Sequence, residues 1–371
     1  MLINIVRDER YGRGWYAAQP IKPGTEVLRE EPQVHVISRS QRGKRCDWCL
    51  RNAEHLKRCT RCLCAWYCGH RCQKNDWIQH KAECRGIAAI QPRMPTDKAR
   101  FIARAVARES EIANLIEGKA SPDTKQLIED QVLEAMELLG VAYKPSAYDA
   151  ACKIKCNAFD IYNHSSTTIG EGIYKSCTMM NHSCEPNCAW SFDGKAMVIH
   201  AVTDISADEQ LFISYIALVE SCSHRRACLL DHYAFECTCV RCRREEGNDG
   251  EVERNMATIK ANEQLYNTQI ENNDKAGAME TAFTLVALYR CSLFAHHPAQ
   301  GLALFRLGKL QKQAALQQEK SGATLTAAIG SLTTAVQALQ ICFGTDHPLT
   351  KEAVLELQEA EEEHSIDTIY S

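Results

Sequence analysis

The sequence lacks the features that would carry a chain into or across a membrane. It contains no run of about 18 apolar residues, the length that indicates a membrane-spanning helix. The apolar residues from Met1 to Val6 meet Arg7 and Asp8 at once, which is typical of a strand and not of a secretory signal. We therefore expect no membrane partner and a location in the cell interior.

Cysteine, by contrast, is abundant. Twenty cysteines would form a disulfide framework in a small secreted domain, but in an intracellular protein they are more often metal ligands. The hydrophobic content of 45% and the charged content of 24% are ordinary for a globular protein. A length of 371 residues is enough for two or three compact units with cores of their own. The composition thus predicts a multi-domain intracellular protein that binds metal.

The net charge of −4 conceals an uneven distribution. Segment 42–93 has 12 Lys and Arg against 4 Asp and Glu, a net charge of +8. Segment 245–371 has 9 against 18, a net charge of −9. The basic segment could meet nucleic acid or an acidic peptide, but we favour a solvated rim around a metal-binding module.

Segment 46–84 contains four closely spaced pairs of metal-binding residues. The pairs are Cys46-x2-Cys49, Cys59-x2-Cys62, Cys68-x3-Cys72 and His80-x3-Cys84. Eight donors fill two tetrahedral zinc sites without an open position, which is the pattern of structural zinc. Because so short a segment has few apolar residues to form a core, each zinc must contribute about 10 kcal/mol or more of folding free energy. Cys64 and His70 fall outside the spacing and are predicted to be a free thiol and a surface residue.

Four further motifs follow one another along the chain. They are Gly12-Arg13-Gly14, the stretch Asn181-His182-Ser183-Cys184-Glu185-Pro186-Asn187, the stretch Leu211-Phe212-Ile213-Ser214-Tyr215, and the stretch Phe235-Glu236-Cys237-Thr238-Cys239-Val240-Arg241-Cys242. They resemble, in the same order, the G-x-G turn, the NHSC-P-N signature, the catalytic-tyrosine strand and the post-SET cysteines of SET-domain protein methyltransferases. The cluster in segment 46–84 resembles the MYND zinc finger. The whole chain is therefore similar to the SET and MYND domain (SMYD) family of lysine methyltransferases.

One motif departs from the family pattern. The family's Gly-Glu-Glu before the catalytic strand is replaced by Asp208-Glu209-Gln210. Because Asp enters left-handed backbone conformations more readily than most residues, we expect the turn to be kept.

The resemblance implies S-adenosylmethionine as cofactor. Asn181 is implied to contact its amino-acid part, His182 to present backbone groups to adenine, and Phe235 to lie against the adenine ring. Gly12 and Gly14 have no Cβ and would allow a close backbone approach to the ligand. The full implied set of cofactor-binding residues is Gly12, Arg13, Gly14, Asn157, Asn181, His182, Tyr215 and Phe235.

Catalysis of methyl transfer from a sulfonium to an amine depends on alignment and on a neutral lysine. Alignment of this kind contributes about 7–11 kcal/mol. An apolar, aromatic channel favours the neutral amine because desolvation disfavours the charged form. The resemblance implies Tyr215 as the catalytic residue on one side of this channel and Tyr233 as its second wall.

The resemblance also assigns the zinc ligands to three sites, because alternate pairs share a metal in a MYND finger. The first zinc is implied to take Cys46, Cys49, Cys68 and Cys72, and the second Cys59, Cys62, His80 and Cys84. Cys237, Cys239 and Cys242 are three donors, and Cys184 is the family's fourth ligand for a third zinc, with Cys188 as the competing candidate. The remaining cysteines are expected to be free thiols, as in a reducing compartment.

The predicted fold class is α+β, and the resemblance, together with the pattern of elements, implies six parts of the chain. These are a β-rich SET N-terminal part (1–45), a MYND finger (46–84), a helical SET insert (85–150), a SET core (151–220), a post-SET segment (221–245) and a helical, TPR-like C-terminal domain (246–371). Helical spacing predicts one stretch from Asp97 through Ile112 and Ile116, and a second helix starting at Ser121-Pro122. His297-Pro298 and His347-Pro348 are predicted to start helices of stacked hairpins.

The leading hypothesis is a protein lysine methyltransferase that acts on a histone or a non-histone protein. We expect a monomeric chromatin regulator of cytoplasm and nucleus, with a proline-rich peptide as a further partner at the finger. The alternative is a non-enzymatic adaptor with a vestigial SET core. A third interpretation is DNA binding through the basic finger.

Overall fold

The computed structural model describes residues 2–9, 12–118, 122–164, 167–247, 249–294, 296–317 and 322–370. The first strands are β1 (Ile3–Asp8), β2 (Gly12–Ala17), β3 (Glu26–Glu30), β4 (Val34–Ile37), β5 (Lys57–Arg58) and β6 (Trp66–Tyr67). The helices that follow are α1 (His70–Ala89), α2 (Asp97–Val106), α3 (Glu109–Ile112), α4 (Pro122–Leu139) and α5 (Pro145–Asn157).

The second half of the chain begins with strands and ends with helices. The strands are β7 (Ala158–Tyr162), β8 (Thr168–Ile173), β9 (Asn181–His182), β10 (Cys188–Asp193), β11 (Ala196–Ala201) and β12 (Phe212–Ile213). The helices are α6 (Cys222–Tyr233), α7 (Val240–Glu245), α8 (Asp249–Glu271), α9 (Lys275–Ser292), α10 (Pro298–Gln317), α11 (Gly322–Phe343) and α12 (Pro348–Tyr370). This arrangement confirms the predicted α+β class with a helical C-terminal region.

Strands from the two ends of the SET sequence pair directly with one another. The sheet orders are β10-β11-β3 and β4-β8-β7, and all of these pairings are antiparallel. Isolated bridges join Tyr16 to Gln210 and Ile21 to Ile205. The finger and the helices α1 to α5 are therefore an insertion between strands of one β-rich unit.

The β10–β11 hairpin forms where turn residues interrupt alternating strand residues. Asp193 pairs with Ala196, and Gly194 between them has φ +61°, a left-handed conformation that favours glycine. Asp208 also has a positive φ, +61°. The expectation that aspartate preserves the turn before the catalytic strand is confirmed.

The helical insert is more broken than its hydrophobic spacing predicted. Helix α2 starts at the predicted Asp97, where the Thr96 hydroxyl accepts a hydrogen bond from the Ala99 backbone N–H (3.2 Å). It ends at Val106, however, and Ile112 belongs to the short α3, while Ile116 is exposed in an irregular segment. A continuous helix through these residues was wrong, and the apolar pattern continued because Ile112 is buried from a separate element. The predicted helix start at Ser121 lies outside the described residues.

A buried ionic cluster joins the finger to the insert and to β4. The side chains of Asp47, Glu83, Arg100 and Arg104 have no solvent exposure. Glu83 accepts hydrogen bonds from Arg100 (Nη2 to Oε1, 2.8 Å) and Arg104 (Nη2 to Oε1, 2.6 Å). Burial alone would raise the pKa of Glu83, but the two guanidinium groups hold it well below its usual range. The cluster fixes the orientation of the zinc finger relative to the sheet.

Helices α8 to α12 pack as consecutive hairpins, with each helix against the next. Both predicted His-Pro starts are confirmed, since α10 begins at Pro298 and α12 at Pro348. The His297 Nδ1 atom accepts from the Ala299 N–H (3.1 Å), and the His347 Nδ1 atom accepts from the Leu349 N–H (3.3 Å). Each histidine thus satisfies a backbone donor of a helix's first turn.

Helix α11 contains a stretch, Thr324–Phe343, that is long and apolar enough to cross a membrane by length and composition. Its mean hydropathy is 1.3, and 44% of it is buried. It packs against α10 and α12 on one side and against β10 and β11 on the other. These contacts are those of a core helix that attaches the helical region to the SET sheet.

Two helical glycines give a matched test of the packing between α1 and α4. A Cβ on Gly86 would lie 1.9 Å from the Leu138 carbonyl oxygen, whereas a Cβ on Gly330 would meet no atom within 4 Å. We expect Gly86→Ala to lower the free energy of unfolding by about 1–3 kcal/mol through overpacking. Gly330→Ala should raise it by about 0.5–1 kcal/mol. Denaturant unfolding measures both, and an unchanged stability for Gly86→Ala would contradict this packing.

Candidate active site and metal centres

A cleft of about 1060 Å³ lies where β7, β9 and β12 meet the segment that follows α6. It is lined by six of the nine residues predicted to bind the cofactor or to act in catalysis: Asn157, Asn181, His182, Tyr215, Tyr233 and Phe235. Gly12, Arg13 and Gly14 do not line it. The helical C-terminal region reaches the cleft wall through Phe294, in the segment between α9 and α10.

A short parallel pairing forms the floor of the cleft. Strand β9 pairs with β12, with Asn181 opposite Phe212 and His182 opposite Ile213. Asn187 holds this crossing from the side, because its Oδ1 accepts from the Phe212 N–H (2.8 Å) and its Nδ2 donates to the Gln210 carbonyl (2.8 Å). No role was predicted for Asn187 from the sequence, although it is the last residue of the NHSC-P-N motif.

His182 is buried and neutral. Burial lowers its pKa to about 4. Its Nδ1 accepts from the Tyr215 backbone N–H (3.1 Å), which places the ring proton on Nε2, and Nε2 lies 3.3 Å from the Cys184 sulfur. The imidazole thus links the catalytic-tyrosine strand to Cys184, a side-chain role that differs from the backbone role implied by the resemblance.

The two tyrosines stand side by side at the cleft. Their ring centroids are 4.9 Å apart. The Tyr215 hydroxyl donates to the Met180 carbonyl (2.5 Å), and the Tyr233 hydroxyl donates to the Tyr215 carbonyl (3.4 Å). Burial raises the pKa of both phenols, that of Tyr233 to about 12. Both hydroxyls therefore stay protonated at neutral pH and keep oxygen lone pairs free to accept a hydrogen bond.

Phe235 closes this aromatic group. Its ring centroid lies 6.0 Å from that of His182 and 6.4 Å, edge to face, from that of Tyr215. Four rings, those of His182, Tyr215, Tyr233 and Phe235, therefore form one aromatic cluster that lines the cleft. This wall of the cleft is aromatic and partly buried.

The turn at Gly12–Gly14 contacts the cleft through Asn181. The Asn181 Nδ2 atom donates to the Arg13 carbonyl (3.1 Å). A Cβ on Gly14 would lie 2.8 Å from that Nδ2 atom and 2.2 Å from Nε2 of Gln210. Glycine at position 14 therefore makes room for two amide side chains. The Arg13 side chain points elsewhere and donates from Nη2 to the Asn114 carbonyl (3.2 Å).

Asn157 lines the cleft, but its side-chain N–H groups donate to backbone carbonyls. Its Nδ2 donates to the carbonyls of Ile116 (2.9 Å) and Lys153 (2.8 Å). It thus ties the irregular segment after α3 to the end of α5, and its oxygen remains the atom available to a ligand.

Three groups of cysteine and histidine side chains converge on metal-binding positions. In each group the candidate ligand atoms all lie within 4.8 Å of one another. The groups are Cys46, Cys49, Cys68 and Cys72; Cys59, Cys62, His80 and Cys84; and Cys184, Cys237, Cys239 and Cys242. These are the sets implied by the resemblance, while Cys64, His70 and Cys188 belong to none of them.

The spacing of the sulfur atoms fits zinc. Tetrahedral zinc with Zn–S bonds of about 2.3 Å holds its sulfur ligands about 3.8 Å apart. The Sγ–Sγ distances are 3.9 Å for Cys49–Cys68, 3.7 Å for Cys59–Cys84 and 3.9 Å for Cys184–Cys237. The His80 Nε2 atom lies 3.4 Å from the Cys62 sulfur, and its Nδ1 lies 3.1 Å from Glu83. A carboxylate on the second nitrogen is the usual support of a zinc-ligating histidine.

Removal of one cysteine tests the third group. We expect Cys184→Ala to lower the zinc content from three ions per chain to two, because three donors do not close a structural site. Cys188→Ala is the matched control: Cys188 is also buried nearby but lies outside the group, and its loss should leave three ions. Elemental analysis of the purified variants measures both. Three ions in the Cys184 variant, or two in the control, would overturn the assignment.

Comparison with known proteins agrees with this geometry. A family model described as SET domain matches residues 12–216, more than half of the chain. The chain is 28% identical to human histone-lysine N-methyltransferase SMYD3, over 94% of this chain and 95% of that protein. It is 29% identical to human N-lysine methyltransferase SMYD2, over 65% of this chain and 60% of that protein.

A plant protein shows the same likeness over the SET part. The chain is 29% identical to histone-lysine N-methyltransferase ASHR1 of Arabidopsis thaliana, over 62% of this chain and 53% of that protein. The family match spans the strands that form the cleft, and the first relative extends the likeness through the finger and the helical region. The chain therefore belongs to the SET-domain family and is a lysine methyltransferase of the SET and MYND domain (SMYD) type.

Proposed function

We propose that this protein transfers a methyl group from S-adenosylmethionine to the side-chain amine of a lysine in a histone or non-histone protein. The observation that carries the proposal is the cluster of four rings, those of His182, Tyr215, Tyr233 and Phe235, that lines the cleft. A desolvated aromatic site is what a reaction of a neutral amine requires.

The cleft suits a nucleotide-sized cofactor and a lysine side chain together. Its volume of about 1060 Å³ is at the upper end of the range for small-molecule sites. When bound, S-adenosylmethionine supplies an electrophilic methyl group on a positively charged sulfur. Phe235 offers a ring face to adenine, and Asn181 lies where an amide can hydrogen-bond the amino-acid part. Arg13 and Gly14 act through Asn181, and Gly12 begins the strand that carries them. Asn157 acts through its side-chain oxygen.

The two tyrosines provide alignment and desolvation. Because the Tyr215 and Tyr233 hydroxyls donate to backbone carbonyls, each oxygen can accept an N–H from the target amine. Accepting those N–H groups directs the nitrogen lone pair toward the methyl donor. Tyr233 makes the longer of the two hydrogen bonds, so its hydroxyl is the freer one to follow the amine. The surrounding rings exclude water and lower the pKa of the lysine amine.

Other features of the proposal follow from the finger and the composition. We place three zinc ions in the three cysteine groups, where they stabilise the fold and take no part in the reaction. A proline-rich peptide at the finger, a monomeric state, action on chromatin, and a location in both cytoplasm and nucleus are parts of the same proposal. The adaptor alternative with a vestigial core is disfavoured by the close packing of Asn181, His182 and Tyr215.

Cofactor binding is testable without turnover. We expect the protein to bind S-adenosylhomocysteine in a calorimeter, and Asn181→Ala to weaken binding by about tenfold or more, since a buried hydrogen bond to a charged group is lost. Asn262→Ala, on helix α8 outside the cleft, is the control and should leave the affinity unchanged. If the zinc-loaded protein does not bind S-adenosylhomocysteine, the proposal is wrong.

The roles of the tyrosines are tested by removing one oxygen atom at a time. We expect Tyr215→Phe and Tyr233→Phe each to retain affinity for S-adenosylhomocysteine while kcat falls by about 100-fold, because the amine loses its alignment. Tyr266→Phe, in the helical region, should keep full activity. Mass spectrometry of methylated peptide measures the rates, and wild-type rates in both cleft variants would exclude these roles.

A further inference from the structure

The cleft has an uneven charge. Seven carboxylates and three cations line it: Glu117, Asp160, Glu171, Glu185, Glu209, Asp231 and Glu236 against Lys98, Lys155 and Arg243. An excess of carboxylates around the site of a lysine reaction predicts a preference for cationic substrates. A carboxylate that forms no ion pair within the protein is available to bind a cationic substrate.

Most of these carboxylates already have partners. Glu171 pairs with Lys98 (2.5 Å), and Glu185 pairs with Arg244 (3.3 Å). Glu209 accepts a hydrogen bond from the Ser206 backbone N–H (2.9 Å). Glu236 pairs with Arg226 (3.8 Å), and Asp231 lies 3.4 Å from the His232 ring.

Two of the seven carboxylates, Glu117 and Asp160, form no ion pair and accept no backbone N–H within the described part of the chain, and Asp160 is the one held on a strand. It is exposed on β7, where its Oδ2 accepts a hydrogen bond from the Tyr162 hydroxyl (3.4 Å). No Lys or Arg of the described chain forms an ion pair with it. Across the strand pair Asp160 lies directly opposite Glu171, and like charges in that position are unfavourable. Lys98 neutralises only Glu171, so the local charge remains negative.

The position of Asp160 connects it to the reaction site. Strand β7 is at the edge of its sheet and, among the described strands, pairs only with β8. The residue before Asp160, Phe159, lines the same cleft. Asp160 and Tyr233 line the same cleft, so the carboxylate can meet a substrate residue beside the target lysine. Burial, with smaller contributions from the charges of Cys156 and Asp160, raises the pKa of Tyr233.

We propose that Asp160 is a specificity-determining residue that binds a Lys or Arg side chain close in sequence to the target lysine. The substrate class is then a basic segment in which the methylated lysine has a cationic neighbour. This inference rests on the proposed methyltransferase function and deepens it. The exposure of Asp160 sets the size of the effect, because ion pairs at exposed sites change binding by about a few-fold to tenfold.

Matched peptides test the inference. One peptide set carries a single Arg at each of the positions around the target lysine, and a second set replaces that Arg with citrulline, which has nearly the same shape but no charge. We expect wild-type kcat/KM to favour Arg by about 3- to 10-fold at one or more positions. Asp160→Asn should reduce this ratio to near one while the citrulline peptides react as before. Added salt should also shrink the wild-type preference.

The control removes a carboxylate elsewhere. Asp193→Asn changes the net charge equally, but Asp193 lies in the β10–β11 turn paired with Arg29, outside the cleft. This variant should keep the preference for Arg. An unchanged preference in Asp160→Asn would overturn the inference. An equal loss for both peptide sets would also overturn it, because Asp160 would then serve the target lysine or the fold.

Peptide binding separates this inference from the proposed function. Fluorescence anisotropy with labelled peptides and saturating S-adenosylhomocysteine measures the same Arg-to-citrulline ratio without turnover. If wild-type protein methylates no peptide, the proposed function fails, and the binding ratio still decides the role of Asp160. Equal affinity of wild-type protein for both peptide sets would overturn that role.

Discussion

The pairing of β3 with β11 and of β4 with β8 is the constraint on which the rest of the structure depends. Neither half of the SET sequence can satisfy its backbone hydrogen bonds alone, so the chain must close over the whole insertion. The entropic cost of closing a loop grows only slowly with its length, which makes so long an insertion tolerable. The finger and helices α1 to α5 pack within that loop, and the cleft forms where the returning strands meet.

Buried ion pairs hold the insertion against the sheet. Glu83 contacts the zinc-ligand candidate His80 on one side and two arginines of α2 on the other. Arg104 also donates a hydrogen bond from Nη1 to the His35 carbonyl on β4 (2.8 Å). Loss of one partner would leave an uncompensated buried charge, which costs about 3–5 kcal/mol. The finger is thereby a rigid part of the SET unit.

In the cleft, side chains with no direct part in the reaction decide where the reactive ones lie. Asn187 fixes β12, His182 fixes the backbone of Tyr215, and Gly14 leaves room for Asn181. The post-SET cysteines bring Phe235 within ring contact of His182. Preorganisation of this kind lets binding energy be used for alignment. The helical region adds Phe294 to the cleft wall, so the C-terminal domain contributes to the cleft as well as to the fold.

Features that depend on local spacing could be predicted from the amino-acid sequence. Cysteine pairs and His-Pro helix starts are short-range patterns, and they predicted the zinc-ligand candidates and the starts of α10 and α12. The start of α2 and the turn at Asp208 could be predicted in the same way. Contacts between distant residues could not be predicted in this way. Spacing gives no indication that Arg100 and Arg104 share Glu83, or that Ile116 lies outside any helix. Nor does it indicate that Lys98 pairs with Glu171 while Asp160 forms no ion pair within the described part of the chain. The physical reason is that burial and ion pairing depend on which surfaces meet, and strand closure across the insertion sets those meetings.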